Sequence, residues 1–256
     1  MLEPLTAVLI QARRAKSGTN LKDLISLVRK SSSYLLGRHH VPPEEVAYRR
    51  LLMKGFQPAF IIDVGAYEGN WTRLARRIFS DVPVLMIEPQ QAKKAILDAV
   101  CRELSHVNYV PAVLSRARGE RVEFFQMETG SSYFAERSNA SRSSVILETT
   151  TLDDIASAIP GPVFLKIDVQ GAELEVLRGG QNVLGLCELV QLEVALVPYN
   201  EGAPTMLEVL TYMRERDFVP LDISGFSRPN GVDLAQIDML FVPSSSNLRT
   251  TFFEFQ

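Results

Sequence analysis

The sequence predicts an α/β fold, a mostly parallel sheet covered on both faces by helices and preceded by an all-helical segment. Two observations carry this. From residue 59 onward, short apolar runs alternate with stretches of helical period, and strands apolar on both sides belong to sheets buried on both faces. Before residue 58 the apolar residues recur only at helical spacing. The chain has 256 residues, 46% of them hydrophobic, which suffices for one sizeable domain plus an extension. Residues 1–57 read as a helical extension and 58–256 as the domain.

Leu2, Leu5, Val8, Leu9 and Ala12 share one helical face, and Leu21, Leu24, Ile25 and Val28 another, with Gly18 and Asn20 between them. Pro42-Pro43-Glu44-Glu45 opens a further helix, with proline and acids in its first turn, and Gly55 closes it. Then come a strand over 59–64, a helix over 70–79, a strand over 84–88, a helix over 91–103 and a strand over 107–114. A short run over 121–126 follows. The second half reads as a strand over 162–168, a helix over 172–178, a strand over 189–196, a helix over 205–216 and strands over 218–223 and 237–242. The last two lie too close for a crossover helix and are expected to pair antiparallel at one edge. Residues 130–144 are small and polar and read as a long surface loop.

Composition narrows the function. Net charge is −3, which offers no global case for nucleic acid. Residues 1–57 hold ten Lys/Arg against four Asp/Glu, a local +6, and the remainder seventeen against twenty-six, −9. The basic segment reads either as solvated faces of amphipathic helices or as a surface for an anionic partner. No apolar run approaches the ~20 residues of a membrane span. The basic residues Arg13, Arg14 and Lys16 follow the first apolar run rather than precede it, the wrong order for a secretory leader. The two cysteines, Cys101 and Cys187, form no CxxC pair, which suits a cytoplasmic protein without disulfides or a thiolate zinc site.

Residues 61–69, I-I-D-V-G-A-Y-E-G, place a glycine turn at a strand end, where open α/β sheets bind ligands. A dinucleotide fingerprint needs G-x-G-x-x-G. Here Tyr67 replaces the middle glycine, and Glu68 brings negative charge to where a diphosphate would lie. S-adenosylmethionine, phosphate-free and cationic, is compatible with Asp63 and Glu68. Glu88, twenty-five residues beyond Asp63 at the end of the second strand, can accept hydrogen bonds from ribose hydroxyls. D-V-G-A-Y-E-G with M-I-E-P resembles the first two motifs of class I methyltransferases.

A second constellation lies at 164–180, F-L-K-I-D-V-Q-G-A-E-L-E-V-L-R-G-G. Lys166 and Asp168 share a strand face; a glycine turn and a helix carrying Glu173 follow. With the G-S-S loop, T-L-D-D-I (151–155) and the final D-M-L-F-V (238–242), the pieces run in an order that resembles the FkbM family of S-adenosylmethionine-dependent methyltransferases, over about residues 59–243. Gln170 stands where that family often carries glutamate, so this position is not read as an essential acid. The resemblance implies a Rossmann-like class I fold, a three-layer sandwich around a mostly parallel seven-stranded sheet with one antiparallel edge strand. It also implies S-adenosyl-L-methionine as cofactor and O-methylation of hydroxyls on sugars, polyketides or other secondary metabolites.

Cofactor contacts are assigned to Asp63, Gly65, Ala66, Tyr67, Gly69, Glu88, Pro89, Ser115 and Asp168. Methyl transfer to an alcohol gains from a nearby base, and Asp168 is the first choice, as base or orienting group. Lys166 either tunes Asp168 and stabilises an alkoxide, or pairs structurally with a neighbouring acid such as Glu193. Glu173 either turns toward the pocket or complements its helix dipole. No dense pair of carboxylates follows the fifth strand, so no metal is assigned, although Asp168 with Glu193 or Asn200 is the set that would hold one. His39 and His40 fall in a linker, Trp71 packs a helix onto the sheet, and Ser131 and Ser132 either touch ligand or simply connect. The expected partner is a small hydroxylated molecule, with no nucleic acid and a homodimer contact open to the N-terminal helices. Two other readings stay open, a non-catalytic module with the same cofactor fold and an NAD-linked oxidoreductase.

Overall fold

The computed structural model describes residues 42–127, 131–134, 143–197 and 200–250. The two helices expected before residue 41 and most of the 130–144 loop lie outside them. Helix α1 (Pro43–Met53) begins with proline and Glu44-Glu45 in its first turn, as its sequence asks. The alternation that follows is β1 (Phe60–Val64), α2 (Asn70–Ile78), β2 (Val84–Ile87), α3 (Lys94–Glu103), β3 (Val107–Val110), β4 (Val113–Leu114), β5 (Arg121–Gln126), β6 (Ser143–Thr150) and α4 (Leu152–Ile155). It continues through β7 (Val163–Ile167), α5 (Glu173–Arg178), α6 (Gln181–Leu184), β8 (Cys187–Ala195), α7 (Met206–Arg214), β9 (Phe218–Ser227) and β10 (Gln236–Pro243).

Seven strands form one sheet in the order β3-β2-β1-β7-β8-β10-β9. The pairs β1–β2, β2–β3, β1–β7 and β7–β8 are parallel, and β10 runs antiparallel to both its neighbours. The order reverses between β1 and β7, where a doubly wound sheet opens its ligand crevice. The antiparallel strand lies one place in from the edge. Helix α7 carries the chain from β8 past one strand position to β9, and the short return then drops β10 into the gap.

Strands β2 and β7 are buried along their whole length, because each face meets a different helical layer. Ile62, Leu85, Leu165, Val190 and Phe241 pack with α5, α6 and α7. Ile61, Met86, Phe164, Leu189 and Leu240 pack with α1, α2 and α3. On this second face Tyr48 of α1 is fully buried, edge-on to Trp71 and Phe164 at 6.1 and 5.4 Å. Its hydroxyl donates to Gln191 Oε1 and accepts the Trp71 indole N–H at 2.8 Å. Trp71 packs α2 on the sheet as expected, 5.4 Å from Phe164. Helix α1, grouped with the extension from sequence, therefore belongs to this core, and the unit that carries the sheet begins at Pro42.

The run 107–114 is two strands, not one. After β3 the chain leaves the main sheet, and β4 joins a three-stranded sheet in the order β4-β6-β5. Strand β6 was not expected, because its serine-rich start and mixed exposure lack the apolar run that marks a buried strand.

Tyr48→Ala is expected to lower stability by about 3–5 kcal/mol, since it empties the aromatic contact and strands the partners of the hydroxyl. Urea unfolding monitored through Trp71 checks this; an unchanged midpoint would mean that α1 is not part of the folded core.

Candidate active site

Strand β1 delivers its chain directly into the turn. Gly65 has φ +76° and lies so close to the β7 loop that an added Cβ would meet the Asp168 carbonyl oxygen at 1.8 Å. Only glycine allows both the dihedral and the approach. Tyr67 also takes a left-handed conformation, φ 48°, which turns its backbone N–H to Glu88 Oε2 at 3.0 Å. The other oxygen of Glu88 accepts the Gln90 N–H at 3.0 Å. Burial nevertheless raises the Glu88 pKa above its ordinary value, with the two amide bonds working against that rise. Further donors from a bound ligand would favour its ionised form. Lys93 stands 3.8 Å above the Tyr67 ring and pairs with Glu68 at 2.8 Å, so Glu68 is engaged on the outer side of the turn.

Below the turn lies a buried cation. Lys166 Nζ is 3.1 Å from Asp63 Oδ1, 3.1 Å from the Gly65 carbonyl oxygen and 3.5 Å from Asp168 Oδ2. Burial alone would lower its pKa, but Asp63 and Asp168 outweigh that and hold the ammonium well above its usual range. Asp63 is fully enclosed, and its second oxygen accepts the Thr72 hydroxyl at 2.6 Å. Lys166 is ion-paired with Asp63 and with Asp168, and the second contact is the one through which it would tune Asp168. Glu193 instead accepts the side-chain amides of Gln170 and Gln236, at 2.8 and 2.7 Å.

After β7 the loop turns through Gln170 (φ 56°) and Gly171 (φ 103°). Glu173 folds back to brace it, its Oε1 accepting the N–H groups of Val169 at 3.2 Å and Gly171 at 3.0 Å. Asn200 donates its side-chain amide to the Gln170 carbonyl. The braced loop presents Asp168, whose Oδ1 accepts the Gln170 side-chain amide at 2.9 Å.

These strand ends line a cleft with about 770 Å³ of empty space, open solvent included. Gly65, Tyr67, Glu88, Pro89 and Asp168 line it, as do Ser131 and Ser132. Ser132 pairs with Phe125 of β5 through two backbone bonds, 2.8 and 3.2 Å, which pins that short segment beside the cleft. Asp63, Lys166 and Ala66 are buried beneath the lining. Gly69 caps α2, with Val100 2.9 Å from where a Cβ would be. Ser115 is buried against Gly179, its carbonyl oxygen 2.2 Å from the Cβ position there. Sequence reasoning missed Gln90, Phe124 and Tyr133 in the lining. Gln90 adjoins the I-E-P signal and was within reach of it. Phe124 comes from β5 of the second sheet and Tyr133 from the short segment bridged to it at Ser132, and neither carries such a motif. Among the described residues no three His, Cys, Asp or Glu side chains are grouped to hold a metal.

A family model described as the methyltransferase FkbM domain matches residues 63–220. The chain belongs to the FkbM methyltransferase family. It is an S-adenosylmethionine-dependent methyltransferase. The carboxylate of Glu88 beside a glycine turn suits that phosphate-free nucleoside. No curated protein matches the chain. Among solved structures, magnesium protoporphyrin IX methyltransferase from Synechocystis PCC 6803 is 10% identical, with a TM-score of 0.46 over 90% of this chain and 100% of that one. An rRNA methylase from Streptococcus thermophilus is 11% identical, with a TM-score of 0.45 over 80% and 99%. A didemethyltoxoflavin N1-methyltransferase from Burkholderia thailandensis is 13% identical, with a TM-score of 0.42 over 87% and 86%.

In this FkbM methyltransferase, Gly65→Ala is expected to force β1 from β7 and to weaken cofactor affinity at least about tenfold, as read by calorimetry. Burial lifts the Glu173 pKa from 4.5 to about 7, against the pull of its backbone amide bonds. A raised acid favours the fold fully below its unfolded value and loses that contribution as pH rises from 4.5 through 7. Glu173→Gln should therefore flatten the fall in stability across this interval, measured by urea unfolding at both ends; an unaltered slope would assign the fall to other groups.

Proposed function

We propose that this methyltransferase transfers a methyl group to a hydroxyl of a small metabolite, a sugar or a polyketide-like natural product. The observation that carries the reading is the hydrogen-bonding character of the rim. Asp168 and Gln170, which line the cleft after β7, are linked to Glu193 near the end of β8 and through it to Gln236 at the start of β10, and such groups suit a polyol better than a polyanion. Both cysteines are free, Cys187 buried and Cys101 half-buried, in keeping with a reducing cytoplasm. No described helix is long and apolar enough to cross a membrane.

S-adenosylmethionine supplies an activated methyl group when bound. The protein's part is alignment. Glu88 accepts the ribose hydroxyls, Gly65 and Tyr67 let the backbone approach, and Pro89 with the walls from the second sheet encloses the base. Asp168, held by Lys166 and Gln170, faces the cationic end and orients it. Lys166, Asp63, Ala66, Gly69 and Ser115 hold these groups in place from below.

Glu88→Ala removes charged acceptor bonds worth ~1.5–3 kcal/mol each. Cofactor affinity should fall at least about tenfold, by calorimetry with S-adenosylhomocysteine. Asp168→Asn should keep most of that affinity and slow turnover at least about tenfold, followed as S-adenosylhomocysteine release over a panel of hydroxylated acceptors. Undiminished turnover in this variant would take Asp168 out of the reaction.

A further inference from the structure

The final D-M-L-F-V run carries one acid that the site described so far does not use. Asp63, Lys166, Gln191 and Leu240 pair across β1, β7, β8 and β10. Two residues further toward the ligand edge, on the same face, the next row is Asp168, Glu193 and Asp238. Asp168 has a donor on each oxygen, Gln170 at 2.9 Å and Lys166 at 3.5 Å. Glu193 accepts from Gln170 and Gln236. Among the described residues, no hydrogen-bond donor reaches the carboxylate of Asp238.

The backbone is shaped around that carboxylate. Strand β9 shifts register here, with Gly225 opposite Asp238 and Ile223 opposite Met239, so Ser224 is the extra residue of a bulge. A Cβ on Gly225 would lie 2.2 Å from Asp238 Oδ2. The carboxylate thus lies across a strand that has no side chain at that point. Like charge with Asp168 and Glu193 makes this an unfavourable place for an acid that serves only packing.

Taking the proposed O-methylation as given, we infer that Asp238 is the catalytic base, standing across the acceptor from Asp168 and receiving the proton of the acceptor hydroxyl. As the oxygen–carbon bond forms, the carbon–sulfur bond breaks and its electron pair stays on sulfur. The hydroxyl proton passes to Asp238 and later to water. Asp168, with a donor on each oxygen, orients; Asp238, whose carboxylate meets no hydrogen-bond donor among the described residues, accepts. Burial first, then the charges of Asp168 and Glu44, lifts Asp238 to about 7, with Lys166 opposing, which suits a base at neutral pH. Among the described residues, the charged and titratable groups facing it are Asp168 and Lys166 from the β7 side, Glu193 from β8, and Glu44 and Tyr48 from α1.

The test requires no known acceptor. Sinefungin carries an ammonium where the cofactor carries its methyl group, and S-adenosylhomocysteine carries neither. Calorimetric titration of the full chain with both ligands is run about one unit either side of the Asp238 midpoint, on wild type and D238N. The wild type should gain affinity for sinefungin relative to S-adenosylhomocysteine on raising pH, by about threefold more than D238N does. S-adenosylhomocysteine should bind both proteins equally, within about twofold. If D238N keeps the wild-type gain, Asp238 does not face the transfer position and the inference falls. It falls equally if D238N loses S-adenosylhomocysteine, because the residue then shapes the cofactor pocket. Should D238N fail to fold, G225A moves the carboxylate without removing it, and the same comparison applies. Failure of wild type to bind either ligand would instead bring down the cofactor assignment itself.

Discussion

A single buried ammonium ties the active site together. Lys166 reaches from the middle of β7 to Asp63 on β1, to the carbonyl of the glycine turn and to Asp168. Isolated in the sheet interior, either charge would cost several kcal/mol. Together, with Thr72 satisfying the remaining oxygen of Asp63, they form a closed polar knot under the cleft. Such a pair is weak evidence for stability, since apolar residues of similar volume often do as well. Its value here is positional, because an apolar pair would hold β1 against β7 but would not hold the Gly65 carbonyl and Asp168 at fixed heights over the strand ends. The aromatic layer beneath, with Tyr48 and Trp71 against Phe164, excludes water from the knot and keeps it strong.

The main sheet was readable because its strands are apolar on both faces and its helices are periodic, so each element carried its own signal. The second sheet was not. Strand β6 is half wet, β4 is two residues long, and neither has a period that a single strand could display. The same division runs through the site. Glycine turns and strand-end carboxylates stand in contiguous motifs, so Gly65, Tyr67, Glu88, Pro89 and Asp168 could be placed in the cleft. Burial of Asp63 and Lys166 could not be read, because whether a strand acid faces ligand or lattice depends on which side chains cover it. Here that cover comes from Thr72 and Trp71 on α2, a helix whose rotation about its axis no motif specifies. Phe124 and Tyr133 stayed hidden because they reach the cleft through a chain excursion.

Glutamine does the spacing work at the rim. Gln170 stands between Asp168 and Glu193, and Gln236 adds a second amide to Glu193. An amide gives a donor to each carboxylate without adding charge. A glutamate at 170 would place three carboxylates in contact, and two close carboxylates already resist joint ionisation. The amides thus give neighbouring carboxylates neutral donors in place of a further like charge.

That row also explains how the site treats charge. Around the strand ends, the described acids outnumber Lys166, the one described ammonium buried among them. A cationic ligand end is therefore attracted and a diphosphate repelled, over distances where a partly buried site screens weakly. In the proposed reaction that attraction would weaken, because a bound sulfonium would become a neutral thioether on losing its methyl group. The electrostatics that would admit the cofactor would thus favour release of its demethylated product, and a proton received by Asp238, as inferred above, would reduce the negative charge of the row as well.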